Sequence, residues 1–161
     1  KLATHYHPSN NLAAVEQNYI ENGNILESDI LPNNKSIILK NKNFIQDIFF
    51  GDLLSIIERL KNSKIDFAHT ILKNLLNRCP MSLAITIKLI KKAEKLSLKD
   101  CLKMEYQLSQ HIVYRKDFNE GVKNVLVNKK HNPQWHPSKI SDIDFNEVEN
   151  FFIPHTKDLN I

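Results

Sequence analysis

The chain is 161 residues long, 42% hydrophobic and 25% charged, with a formal net charge of +4. Those proportions fit a globular protein of ordinary domain size, and the mild positive charge permits an anionic partner without demanding one. No apolar run approaches the roughly 18 residues that a bilayer-spanning helix needs, so no membrane partner is expected. Three glycines in the whole chain argue against Gly-rich phosphate loops, hairpin-rich β architecture and nucleophile elbows together. The two cysteines, Cys79 and Cys101, form neither a CxxC pair nor a disulfide framework, which fits a reducing compartment. The sequence begins at Lys1 with no signal-peptide pattern. Removal of a leading segment, or origin as one piece of a longer protein, is the expectation.

Taken in order, Leu2 to His7 are rich in strand formers and stop at Pro8, so they predict a short strand. A single strand cannot satisfy its own backbone groups. With no clear second strand here, it is expected to pair outside this chain. Ser9, Asn10 and Asn11 offer caps for a helix over about Leu12 to Tyr19, closed by Asn22-Gly23. Residues 24–43 are polar, contain Pro32 and read as an irregular connection.

Beyond Gly51 the helical period is clear. Asp52 caps a helix whose Leu53, Ile56, Ile57 and Leu60 share a face. A second carries Ile65, Ala68, Leu72, Leu75 and Cys79 and is expected to end at Pro80. A third, over about Ser82 to Lys95, is expected to bury Leu83, Ile87 and Ile90. Ser97 and Asp100 open a long helix to about Tyr114, and Asp117 with Glu120 repeats that capping device before Val122, Val125 and Leu126. Asn128 to Ser138 is a loop, Phe145 to Phe152 a short helix, and the remainder a fraying tail. The domain reading is a single helical region over 1–161, with the strand at 1–7, the main helices over 52–127, and loop, short helix and tail over 128–161.

Few residues suggest chemistry. His5 and His7, two apart on a strand, would face one side and could bind a metal, but no third ligand is placed by spacing. Glu105 falls with Cys101, Leu108 and Ile112 on an apolar helix side, where a structural carboxylate is the plainer reading than a general acid. Lys88, Lys91, Lys92, Lys95 and Lys99 recur at spacings of three and four; a phosphate track is one reading and a solvated face the simpler one. Trp135, between Pro133 and Pro137, is expected to anchor its loop on a neighbouring surface. No spacing supports a catalytic triad or a metal set. No catalytic residue is assigned.

Four blocks carry a resemblance: Cys-Pro-Met-Ser-Leu at 79–83, Met-Glu-Tyr-Gln-Leu-Ser-Gln at 104–110, Asp-Phe-Asn-Glu-Gly-Val at 117–122 and Asn-Pro-Gln-Trp-His-Pro at 132–137. They resemble the C-terminal region of the 3-hydroxyisobutyryl-CoA hydrolase family, a branch of the crotonase (enoyl-CoA hydratase/isomerase) superfamily. Leu-Ala-Thr-His-Tyr at 2–6 looks like the strand that follows that family's core. The fold this implies is mainly α, the helical C-terminal layer of a crotonase-like α/β spiral fold, with one short leading strand that pairs outside the chain. In the family the oxyanion hole and the acid/base carboxylates precede the position matching Leu2. The resemblance therefore implies an N-terminal crotonase core segment as partner, with acyl-CoA as substrate and no cofactor beyond its CoA moiety. Lys129 matches a family lysine able to contact the CoA nucleotide phosphates.

Departures from the family pattern leave an alternative. Lys123-Asn124 stand where Arg-Ala is usual, and Asn128-Lys129-Lys130 where Asp-Lys-Asp is usual. A planar Arg fork and two carboxylates are lost, so local positive charge rises. One reading is part of a mitochondrial acyl-CoA thioester hydrolase of valine catabolism. The other is a non-catalytic component of the mitochondrial ribosome's small subunit, in contact with ribosomal RNA and ribosomal proteins.

Overall fold

A computed structural model describes residues 5–27, 36–129, 132–155 and 157–160. The chain divides into two units, Lys1–Asp47 and Ile48–Ile161.

In the first unit, Pro8 leads into a 3-10 turn at Ser9–Asn11 and then helix α1 (Leu12–Asn22). Gly23 closes it at φ 70°, its N–H donating to the Tyr19 carbonyl at 2.9 Å, a left-handed cap that glycine adopts without a Cβ penalty. Two short helices follow, α2 (Ile37–Lys40) and α3 (Lys42–Ile48). They correct the expectation of an irregular connection over 24–43. Ser36 supplies the start signal, its Oγ accepting from the Leu39 N–H at 3.4 Å ahead of an Ile-Ile-Leu run. No described residue of this unit is buried. Half of the expected leading strand, Leu2 to Thr4, lies outside the described residues; His5 to His7 adopt no regular structure, and no strand occurs among the described residues.

The second unit holds the core. Gly51 at φ 83° turns the chain into α4 (Leu53–Asn62). Asp52 caps α4 as expected, its Oδ1 accepting from the Ser55 N–H at 2.9 Å and its Oδ2 from the Ser55 hydroxyl at 2.8 Å. The backbone bond from Ser55, then the hydroxyl, holds this carboxyl below its ordinary pKa. The cap is therefore at full strength above the ordinary carboxylate range and weakens as pH falls through it. Leu53, Ile56, Ile57 and Leu60 are all buried, the stripe the spacing requires. Arg59 reaches back over the Phe50 ring at 3.9 Å and donates to the carbonyls of Ile48 and Phe50, fixing the approach to the helix.

Helix α5 (Asp66–Leu76) buries Ala68 completely and stops before Cys79. Pro80 does not end it. That proline opens α6 (Pro80–Ala93), where its missing N–H costs nothing and its fixed φ is already helical. The earlier start brings Met81 into the helix, and the packed face differs from the expected one. Met81, Ala84 and Ile85 are buried, Leu83 and Ile87 are half-buried, and Ile90 is 56% exposed, which corrects the expected Leu83–Ile87–Ile90 core stripe. Helix α7 (Leu98–Ile112) begins at the predicted Ser97 cap, whose Oγ accepts from the Asp100 N–H at 3.1 Å and donates to Asp100 Oδ2 at 2.6 Å. Helix α8 (Lys116–Gly121) runs into a π-helical segment, Val122–Val127; a 3-10 turn at Ile140–Asp142 and helix α9 (Phe145–Asn150) complete the unit. The core joins Leu53, Ile57, Met81, Ile85, Leu108 and Val148 with their neighbours.

The tail beyond α9 is strapped to α7, which corrects the expectation of fraying. Gln107 Oε1 accepts from the His155 N–H at 2.5 Å, while Gln107 and Gln110 both donate to the Lys157 carbonyl, at 2.5 and 3.0 Å. His111 Nε2 lies 3.0 Å from the Ile153 carbonyl, and Lys103 lies 3.8 Å from Asp158.

The burial pattern of α6 is measurable in urea unfolding. Met81→Ala is expected to cost about 2–5 kcal/mol. Ile90→Ala is expected to cost no more than about 0.5 kcal/mol. Equal costs would contradict the packing.

Candidate functional site

Two of the recognised blocks meet at one place. Asp117 is 6% exposed, too deep for an uncompensated carboxylate. Its Oδ1 accepts from the His136 N–H at 2.7 Å and its Oδ2 from Arg115 Nη2 at 2.9 Å. One turn on, Glu120 Oε1 accepts from the Gln134 N–H at 2.8 Å and from Asn124 Nδ2 at 2.6 Å. Arg115 also donates to the His136 carbonyl at 2.9 Å and to Glu147, tying α9 into the same cluster. Burial alone would lower the Arg115 pKa, but the Asp117 hydrogen bond and the charges of Glu147 and Asp117 outweigh it and hold it above its ordinary value.

This is not the helix cap that Asp117 and Glu120 suggest in sequence. The N-cap of α8 is Arg115, with no side-chain cap bond. Both carboxylates are instead turned onto loop amides two residues apart. The residue between those amides is Trp135. Its ring lies over Gly121, where an added Cβ would sit 3.3 Å from the indole, and its Nε1 donates to the Asn77 carbonyl at 3.4 Å. The loop anchor expected of Trp135 is thus seated on the glycine of the Glu-Gly-Val block.

Trp135 walls a cavity of about 390 Å³, shared with Cys79, Ile85, Phe118, Val122 and Val125. Phe118, Val122, Val125 and Leu126 remain exposed along the helix, so the groove has an open apolar side. Lys129 follows the π-helical segment at φ 52°, a left-handed conformation uncommon for a side chain larger than Asn. It is exposed and makes no ion pair among the described residues. Its neighbour Lys130 lies outside the described residues.

The other candidates lie elsewhere. Glu105 is exposed, which corrects its placement on the apolar side of α7. His5 stands 3.9 Å from Glu27, and no cluster of three metal-ligating side chains occurs among the described residues. Lys88 is not free on a solvated face: its side chain is 17% exposed, paired with Glu149 and 5.2 Å from the Phe152 ring centre. Sequence reasoning missed Arg115, Gln107 and Gln110 as organising residues. The signal for Arg115 was its position two before a carboxylate; the partners of the glutamines are backbone groups some fifty residues on, which no local spacing marks.

Comparison with known proteins bears on the site. The family model described as enoyl-CoA hydratase/isomerase matches residues 1–152. The chain belongs to the enoyl-CoA hydratase/isomerase family. The mitochondrial 3-hydroxyisobutyryl-CoA hydrolase of Dictyostelium discoideum is 40% identical over 114 residues, covering 70% of this chain and 28% of that protein. The human protein of the same name is 31% identical over 165 residues, 94% of this chain and 43% of its own length. A carnitinyl-CoA dehydratase structure from Mycobacterium thermoresistibile superposes with a TM-score of 0.83 at 26% identity, over 98% of this chain and 46% of that one. The chain therefore spans less than half the length of these relatives. Its helical architecture is that of the crotonase fold's C-terminal layer.

The Asp117 cluster yields a direct test, because Trp135 is the sole tryptophan and reports on the seat. Asp117→Ala is expected to destabilise the protein by about 1–3 kcal/mol, because it leaves the His136 amide without its acceptor and removes one of the three acceptors of Arg115. Gly121→Leu drives a side chain into the indole. Both variants should shift native Trp135 fluorescence to the red; unchanged emission in both would contradict the seat.

Proposed function

We propose that this chain is the helical C-terminal part of a 3-hydroxyisobutyryl-CoA hydrolase-like protein acting in mitochondria. In this reading the groups that perform acyl-CoA thioester hydrolysis reside in an N-terminal crotonase core segment, and the present chain completes the CoA site. The observation that carries the reading is the match, at 94% coverage, to hydrolases of that name. The loop seat described above supports it, since the Asp117 and Trp135 blocks that define the resemblance are the ones that hold each other.

The chemistry assigns roles accordingly. Backbone donors in the core would stabilise the thioester oxyanion, and a core carboxylate would move the proton. Lys129, exposed on a left-handed turn, is suited to meet the nucleotide phosphates of CoA as a point charge. Residues 1–161 are read as one helical region in service of that core. The ribosomal reading, with ribosomal RNA and ribosomal proteins as partners, draws on the basic balance, the lysine stripe and the Asn128-Lys129-Lys130 departure. The pairing of Lys88 with Glu149 removes one member from the stripe and favours the hydrolase.

The test is kinetic. The purified 161-residue chain should release no thiol from 3-hydroxyisobutyryl-CoA. In the polypeptide that joins it to its core, hydrolysis should appear, and Lys129→Ala should raise KM more than it lowers kcat. Thiol release by the chain alone, or a Lys129→Ala effect confined to kcat, would overturn the assignment.

A further inference from the structure

Lysines of α6 and of the turn after it line one side of a second cavity, of about 540 Å³, which shares no lining residue with the Trp135 cavity. Its volume lies in the range of small-molecule sites. The floor is apolar and built from three helices: Leu53 of α4, Ala84 of α6 and Val148 of α9, each 5% exposed or less. At the mouth, Leu96 is 40% and Phe145 44% exposed, leaving hydrocarbon surface open to water. Lys88, Lys91, Lys92 and Lys95 stand along one side.

The charges of this cavity do not balance. Of its two carboxylates, Asp52 is engaged by Ser55 at the cap of α4, and Glu149 is paired with Lys88. Lys91, Lys92 and Lys95 make no ion pair among the described residues, and Lys92 only approaches the Phe152 ring, at 5.4 Å. Lys91 stands in the last turn of α6 and Lys95 in the turn that follows it, so their like charges gather at one end of the helix. The dipole of α6 favours cations near its C-terminal end and accounts for their position. It does not account for their gathering at the rim of an apolar cavity.

We propose that this cavity binds a single-chain amphipathic anion, its hydrocarbon tail on the Leu53–Ala84–Val148 floor and its headgroup among Lys91, Lys92 and Lys95. A tail there covers Leu96 and Phe145, and the anionic head relieves the repulsion between lysines. Neither half of the ligand suffices, because a bare anion leaves the floor wet and a neutral chain leaves the lysines uncompensated. Carboxylate and phosphate headgroups share this chemistry.

Isothermal titration of the full chain with dodecanoate, dodecyl phosphate and dodecanol, below their aggregation limits, tests the site. Dodecanoate or dodecyl phosphate should bind saturably, and the tighter of the two identifies the headgroup. Dodecanol should bind about tenfold more weakly or worse, and added salt should narrow the difference. Combined Lys91→Gln, Lys92→Gln and Lys95→Gln should weaken the anion by about tenfold and leave dodecanol unchanged. A control of equal charge, with Lys64, Lys73 and Lys99 replaced by Gln, should leave both unchanged. Leu96→Ser should weaken anion and alcohol alike, with the fold intact by circular dichroism. Equal affinity for alcohol and anion, equal effects of the two triple variants, or no saturable binding would overturn the proposal.

Discussion

The packing of the second unit turns on how the Asp117 carboxylate is satisfied at 6% exposure. A buried carboxylate needs both charge and hydrogen bonds to remain there, and each of its oxygens is used. One oxygen holds the His136 amide of the tryptophan loop, and the other holds Arg115, which in turn reaches His136 and Glu147. Three sequence-distant pieces, α8, the 132–137 loop and α9, are thereby fixed by one charge cluster. Glu120 adds a second amide bond at Gln134, so the loop is held on both sides of Trp135. The indole can then lie on Gly121, the position in the block with no side chain to displace it.

From this cluster the rest of the arrangement follows. With α9 held by Arg115, Val148 and Phe151 complete a core begun by Met81, Ala84 and Ile85, and Glu149 meets Lys88. The four blocks that carry the resemblance each have a place in this packing. Pro80 and Met81 start and bury α6, Gln107 and Gln110 bind the tail, and the remaining two blocks lock together. They shape a surface that leaves the Phe118–Val125 groove and Lys129 exposed.

Much of the architecture was legible because it is local. The caps at Asp52 and Ser97 bind amides three residues on, and the Leu53–Leu60 stripe repeats at helical spacing. Errors arose where a residue has two local uses. Pro80 can end a helix or begin one, and reading it as an end left the buried Met81 out of α6. Asp117 and Glu120 fit a capping box, yet their partners lie 19 and 14 residues away in the loop. The helices at Ile37–Lys40 and Lys42–Ile48 were hidden by the polarity of their surroundings. The candidate site was legible only through the resemblance for Lys129, while the cavity beside the lysines depends on α4 and α9 approaching α6, which no period in α6 announces.

Amide hydrogen exchange on the intact chain tests the central claim most directly. The Gln134 and His136 amides, in a loop without helix or strand, should be protected to the level of core amides such as Leu108, and Asp117→Ala should abolish protection at His136 before it does so at Leu108. Gln134 and His136 amides that exchange as fast as the exposed backbone at Lys139 would contradict the carboxylate lock.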